Sequence, residues 1–351
     1  MSLTPSYRRQ FIYIFALMGL SGTMAAQSSA ADTSQSFRFT LDLDGYYRYA
    51  SSRETSRSFL AMDHDQLSLG WLSGGVDYER NGAGVSARAA FGPRAFQYFN
   101  EGNGGVLDNV RYAFGYYQVA GWLRLNAGVM PTFYGYEFDD PIDNDQYSNS
   151  WAYTYSPASV TGVTAELDLG QGWTAMLGRF NGTFSRFNRN GRAVYGGYLN
   201  KTSERWWGQL STLLGRTEAD QRYRMLDLTV GYAVNQRLRA GGEITYHPFK
   251  EPGPNQDWTR YWLFAQYLAF DLDDRSTFAL RQEIVRDRGG FVLPPGMGVY
   301  SLTTALTRAV GPAKFFAELR LNNAVDPLFR EGSQRVELAG TVGFAYRVGG
   351  E

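Results

Sequence analysis

In FRFTLDLD, residues 37–44, every odd position is apolar and every even one is polar. Phe37, Phe39, Leu41 and Leu43 oppose Arg38, Thr40, Asp42 and Asp44. A helix would spread both sets around its circumference, whereas a strand sends them to opposite faces. The pattern recurs to the end of the chain. RLRAGGEITYH sets Leu238, Ala240, Ile244 and Tyr246 against Arg237, Arg239, Glu243 and His247. FFAELRLN sets Phe315, Ala317, Leu319 and Leu321 against Glu318, Arg320 and Asn322, and RVELAGTVGFAYRV sets Val336, Leu338, Val342, Phe344, Tyr346 and Val348 against Arg335, Glu337, Thr341 and Arg347.

Segments of this kind are expected at 36–50, 65–80, 83–98, 108–119, 122–134, 158–169, 172–181 and 191–201. Eight more follow at 205–215, 222–234, 236–248, 257–270, 275–287, 298–310, 313–323 and 334–348, making about sixteen strands. The connections alternate in length. Tight turns fall at 81–82, 120–121, 170–171, near 235, at 271–274 and at 311–312, rich in the Gly, Asn and Asp that such turns need. Long segments lie between them. A soluble β-sandwich also has evenly spaced strands, but nothing in it sorts short connections from long ones. A transmembrane up-and-down antiparallel barrel does, with short periplasmic turns and long external loops.

Composition supports a barrel. Arg8 and Arg9 precede the apolar core Phe11–Leu20 and a run of small residues, so residues 1–30 are expected to be a secretory signal peptide and residues 31–351 the barrel. The alternative, an N-terminal membrane anchor, has an apolar core shorter than the roughly 20 residues a spanning helix needs. Beyond those two arginines, 32 Lys and Arg face 34 Asp and Glu, which leaves no nucleic-acid footprint. Cysteine is absent, so no disulfide framework or thiolate metal site is available. Aromatics reach 16% with 40 glycines in the 351 residues, as suits strands lying in lipid and turning tightly. Trp122, Trp173, Trp206 and Trp207 follow tight turns, where an interfacial aromatic girdle is expected.

The stretch 109–170 resembles the β-barrel porins of the OmpL-like type. Its matching elements are Gly135-Tyr136-Glu137, Asn149-Ser150, Pro157 and Thr161-Gly162-Val163, with Gly45-Tyr46 as a weaker one. The resemblance implies a channel in the bacterial outer membrane, in contact with its lipid and inserted by the barrel assembly machinery. It implies no established substrate; passive diffusion of small hydrophilic solutes or ions is expected, with no cofactor and with a homo-oligomer as one arrangement open to it. The final strand departs from the usual pattern, because Phe344, Tyr346 and Val348 are followed by Gly349-Gly350-Glu351 rather than by a terminal aromatic.

Five carboxylates, Glu137, Asp139, Asp140, Asp143 and Asp145, crowd the third external loop, about 135–156. In general porins the third loop folds into the barrel and narrows it. By that resemblance these acids are expected to form one wall of a constriction. Arg38, Arg88, Arg94, Arg111 and Arg124, on lumen parity in the first strands, are expected to form the basic wall opposite, since opposed charge in a pore biases selectivity. Lumen parity also collects Asn126, Asp227, Arg281 and Glu283. Two other readings of the loop stay open: a solvated external loop, and a calcium site built from carboxylate oxygens, although its spacing lacks the EF-hand pattern.

Rival functions are a surface binding or structural barrel with a blocked lumen, and a barrel-embedded hydrolase. The hydrolase would need His64, in MDHDQ, or His247, near the external rim, and no nucleophile motif accompanies either. A metal site at Asp63-His64-Asp65 is opposed by the alternation of adjacent side chains. No enzyme and no metal are expected.

Overall fold

Strands in hydrocarbon must pair every backbone N–H and C=O, and only a closed sheet leaves none at an edge. The computed structural model describes residues 35–58, 61–99, 106–182, 186–187, 191–217, 220–253 and 256–349; the expected signal peptide lies outside them. Its strands are β1 Gln35–Ala50, β2 Gln66–Arg80, β3 Ala83–Phe91, β4 Val110–Ala120, β5 Leu123–Pro131, β6 Ser159–Gly170, β7 Trp173–Phe180 and β8 Val194–Thr202. There follow β9 Trp206–Arg216, β10 Arg222–Ala233, β11 Leu238–Lys250, β12 Thr259–Asp271, β13 Ser276–Asp287, β14 Gly298–Val310, β15 Ala313–Ala324 and β16 Val336–Gly349. Each pairs antiparallel with its sequence neighbours, and β16 returns to β1 with Tyr47 opposite Val342. Sixteen strands thus close into one barrel. No helix among the described residues is long and apolar enough to cross a membrane.

Connections after even-numbered strands take two to four residues, and those after odd-numbered strands five to 27. The Asn81-Gly82 turn has φ of 52° and 75°, the left-handed pair that a two-residue hairpin turn needs to follow the twist of its strands.

Burial is inverted relative to a water-soluble domain. Leu69, Val163, Leu177, Leu210, Leu228, Ile244 and Leu319 are exposed on the outer wall, while Asp227, Thr229, Glu243, Arg281, Glu283 and Arg320 are buried inside. Aromatic rings edge the apolar band at both ends: Trp122, Trp173, Trp206, Phe270 and Phe315 near the short turns, Tyr47, Tyr49, Tyr195 and Tyr300 near the long loops. Trp207 departs from its expected place in the girdle. It follows Trp206 directly, so alternation turns it into the lumen, where it stacks on Tyr136 at 5.7 Å.

The third segment, expected at 83–98, stops as a strand at Phe91. Gly92 takes φ 130° and Pro93 opens a short helix, Pro93–Phe99; proline suits a first helical position because the N–H it lacks would be unpaired there anyway. Arg94 therefore enters the lumen from a loop helix rather than from a strand. Arg237 and Arg335, also read on lumen parity, are exposed beyond their strand ends. Parity has no meaning once the pleat ends.

Candidate functional site

Residues 132–158, the connection between β5 and β6, run across the interior of the barrel. The Phe133 carbonyl accepts from Gln209 Nε2 at 2.6 Å and from Ser211 Oγ at 3.2 Å on β9. Gly135 N–H donates to Asp227 on β10 and Tyr136 N–H to Glu243 on β11, both at 3.3 Å. The Tyr136 ring stacks on Tyr267 of β12 at 4.2 Å. Its seat depends on Gly241, where a Cβ would come within 2.4 Å of that ring.

Farther along, Tyr147 and Ser148 N–H groups donate to Glu318 on β15, and Trp151 Nε1 donates to Ser301 on β14 at 2.8 Å. Tyr147 lies over Gly343 of β16, where a Cβ would stand 2.7 Å from the ring. The segment ends in one helical turn, Trp151–Thr154, capped by Ser150 through Tyr153 N–H.

All five carboxylates of the stretch point into the lumen side of this crossing, and each meets an arginine of the wall. Glu137 pairs with Arg281 on β13 at 2.6 Å, and Asp145 with Arg239 on β11 at 2.9 Å. Asp139 and Asp140 share Arg111 of β4 at 2.9 and 3.0 Å, and Asp140 also meets Arg88 of β3 at 3.7 Å. Asp143 pairs with Arg347 of β16 at 2.7 Å; the same guanidinium reaches Asp140 at 3.3 Å and Asp42 of β1. Trp71 Nε1 on β2 donates to Asp140 at 3.0 Å, and Arg111 stands 4.1 Å from the centre of that indole.

Asp140 is the hub. Burial alone would raise its pKa, but Arg111, Arg347 and Arg88 overcome that and hold the carboxyl below the usual carboxylate range. Tyr153, whose hydroxyl donates to Asp139, is shifted the other way: burial and then the Asp139 charge push its phenol well above its ordinary value.

Of the expected basic wall, only Arg88 and Arg111 form ion pairs with the five carboxylates among the described residues. Arg94 is buried against Asp44 of β1 at 2.5 Å. Arg124 lies 3.9 Å from Glu166 and 4.1 Å from the centre of the Tyr116 ring, and Arg38 makes no ion pair among the described residues. Where the acids meet arginines they form interlocked pairs, and Arg38, Arg94 and Arg124 of the expected wall pair with none of the five. Arg239, Arg281 and Arg347 supply the missing partners. Their parity placed them in the lumen, but no sequence signal said how far the loop would reach. Among the described residues no three His, Cys, Asp or Glu side chains gather to hold a metal ion.

The crossing leaves open space on one side. A cavity of about 310 Å³ lies toward the short-turn end, bounded by β1–β10, β16 and the loop. Arg38, Arg88 and Arg124 line it together with Tyr112, Phe114 and Tyr116, whose rings follow one another along β4 at 6.1 and 6.5 Å. On the opposite side, toward the long loops, the lumen is packed with apolar groups: Trp151 of the crossing, Phe249, Tyr261, Leu263 and Val285 of the wall, and Leu293 and Phe329 of later loops.

Three solved structures share this architecture. The anion-selective porin of Comamonas acidovorans superposes with a TM-score of 0.63 and 10% identity, covering 90% of this chain and all of that one. The trimer form of OmpT, an outer membrane protein of Vibrio cholerae, gives 0.64 and 12%, covering 90% and 99%. The outer membrane channel DcaP of Acinetobacter baumannii gives 0.61 and 12%, covering 93% and 100%. Such identities carry the fold alone. No curated protein sequence matches the chain. A family described as "Putative beta-barrel porin-2, OmpL-like" matches residues 36–347, from the first strand to the last. With the sixteen-stranded barrel, the inverted burial and the sorted loops, that match places the chain in the OmpL-like family of β-barrel porins, passive diffusion channels of the Gram-negative outer membrane.

Proposed function

We propose that residues 132–158 form the constriction of this channel and that small hydrophilic solutes or ions pass beside them, through the cavity along β1–β10 and β16. The observation that carries this reading is the anchoring of one loop to walls on both sides of the lumen, with a cavity beside it toward the short turns. Charge along the path is set by Arg38 and the loosely held Arg124 against Asp77 and Glu166, because the loop carboxylates are already neutralised by Arg88, Arg111, Arg239, Arg281 and Arg347. Conductance in planar bilayers tests it. Changing Asp139, Asp140, Asp143 and Asp145 together to Asn frees guanidinium charge and loosens the loop, so conductance rises and selectivity moves toward anions. Unchanged conductance and selectivity would remove the loop from the path.

A second reading, a surface barrel with a blocked lumen, is favoured by the apolar packing beneath the long loops; a wild-type protein that conducts no ions would establish it. We assign no catalytic role to the histidines. His64 Nδ1 accepts from Ala50 N–H at 3.1 Å, and His247 is enclosed by Tyr223, Tyr261 and Phe291 with no hydrogen bond to either ring nitrogen among the described residues. Insertion by the barrel assembly machinery and assembly into a homo-oligomer belong to the same proposal; the relative from Vibrio cholerae has a trimer form.

A further inference from the structure

The outer wall carries its charge unevenly. Near the long loops, on β7–β13, the lipid-facing positions include Arg179, Arg222, Arg224, Arg260 and Arg286, all exposed, and the half-buried Lys250. None of these six makes an ion pair among the described residues. Register sets them side by side. Arg222 lies opposite Arg216 on one strand and Lys250 on the other. Arg179 is opposite Tyr195, Tyr195 opposite Leu214, and Leu214 opposite Arg224. A groove of about 610 Å³ opens here, lined by Arg192, Tyr195, Arg216, Arg222, Arg224 and Trp258. Arg224 stands 5.0 Å from the centre of the Trp258 ring. Asp220 offsets little of this charge, since one carboxylate serves both Arg192 and Arg216 at 2.8 Å.

At the same height on the other side of the barrel the outward strand positions carry no cation: Tyr300 on β14, Leu338 on β16, Tyr49 on β1, Leu67 on β2 and Phe91 on β3 face outward there, and the exposed charge beside them, Asp65, is an acid held by Tyr47. Like charges on neighbouring strands repel, and lipid-facing arginine is costly except near the interface. A one-sided band of cations at this depth calls for anions supplied by the membrane. Guanidinium groups bind phosphate through two parallel N–H bonds, which a carboxylate-poor wall leaves free to form. The exposed rings of Tyr195 and Trp258 suit the boundary between head group and acyl chain. The external leaflet of a Gram-negative outer membrane is built of a phosphorylated glycolipid. We infer that the groove on β8–β10, with the cations that flank it, is a docking site for the phosphates of that glycolipid, so that one side of the channel holds a fixed lipid collar and the other does not.

The test uses the purified barrel in an uncharged detergent, with lipid retention read by native mass spectrometry. Bis-phosphorylated lipid A is expected to stay bound, monophosphorylated lipid A to bind more weakly, and phosphatidylglycerol more weakly still. This comparison needs only the wild-type protein. The variant Arg222→Gln, Arg224→Gln, Arg260→Gln is expected to lose affinity for lipid A by about tenfold or more while its conductance stays unchanged. The variant Arg237→Gln, Arg275→Gln, Arg308→Gln removes equal charge at the short-turn end and is expected to bind as wild type. Phosphatidylglycerol binding as tightly as lipid A would overturn the proposal. So would equal loss in both variants, or inorganic phosphate displacing lipid A at equal concentration, which would mark a free-anion site instead.

Discussion

Between β10 and β15 the lumen face is built in two layers, and between β16 and β4 in one. In the first sector Tyr223, Met225, Phe249, Tyr261, Leu263, Val285 and Val299 form an apolar layer near the long loops, above the charged layer of Asp227, Glu243, Arg281, Glu283 and Arg320. In the second sector charge continues to the rim through Arg48 with Glu337, Arg94 with Asp44, and Arg111 with Asp140. Both sectors hold the loop by charge, and the first adds an apolar layer to it. Apolar packing is non-directional and is not screened by salt, whereas a buried ion pair is useful only while both partners remain. The loop is therefore held by shape and charge together in the first sector and chiefly by charge in the second.

The largest effect expected is at the charged layer. Arg281→Met leaves Glu137 buried without its cation and Glu283 with Arg320 alone, and a loss of about 3–5 kcal/mol is expected. It would be read as a lowered urea midpoint and as new protease cleavage near residue 138. A loss under 1 kcal/mol would mean that water enters and solvates those carboxylates. In the apolar layer, Leu263→Ala is expected to cost about 2–5 kcal/mol, a cost that ionic screening does not reduce. A strong salt dependence would erase the distinction between the sectors.

Acid separates them next. The Asp140 pKa is depressed in the folded protein, so its contribution is complete above the unfolded carboxylate value of about 4 and fades only as pH falls through the lower folded value. Protease protection of the loop is expected to be constant from neutral pH down to about pH 4 and to fail in stronger acid, while protection of Trp151 in the apolar sector outlasts it. Loss of protection between pH 6 and 5 would show that Asp140 is not the hub. The smallest effect is expected at His247, whose ring nitrogens have no hydrogen-bond partner among the described residues inside an aromatic cage. His247→Phe removes that burden in nearly the same shape and is expected to change stability by less than about 1 kcal/mol, in the stabilising direction. A large loss would reveal a hydrogen bond to water in the cage.

Strands were legible because alternation is local: FRFTLDLD announces its two faces without reference to anything else in the chain, and β1 lies where it says. Gly92-Pro93 was the failure, since apolar and polar residues in PRAFQYF can be read at period two until the proline is given its weight. In the loop that crosses the lumen the acids were legible as a cluster and the loop as third in a sorted series. Their partners were not. Whether Asp145 meets Arg239 or Arg124 depends on how far the loop travels across the lumen, and that is fixed by features distributed over the wall, such as the missing side chains at Gly241 and Gly343 that admit Tyr136 and Tyr147.

Arg347 lies on the last strand, yet it joins Asp42 of the first strand to Asp140 and Asp143 of the loop. The order of events in assembly follows from this. β16 can take its place against β1 only after everything between them has been threaded into the sheet, a contact of very long sequence separation and so a slow one. Until that seam shuts, the charged end of the loop lacks one of its main anchors. A half-assembled barrel is thus an open sheet with an unfastened tongue, and the last pairing to form both seals the wall and fastens the loop to it.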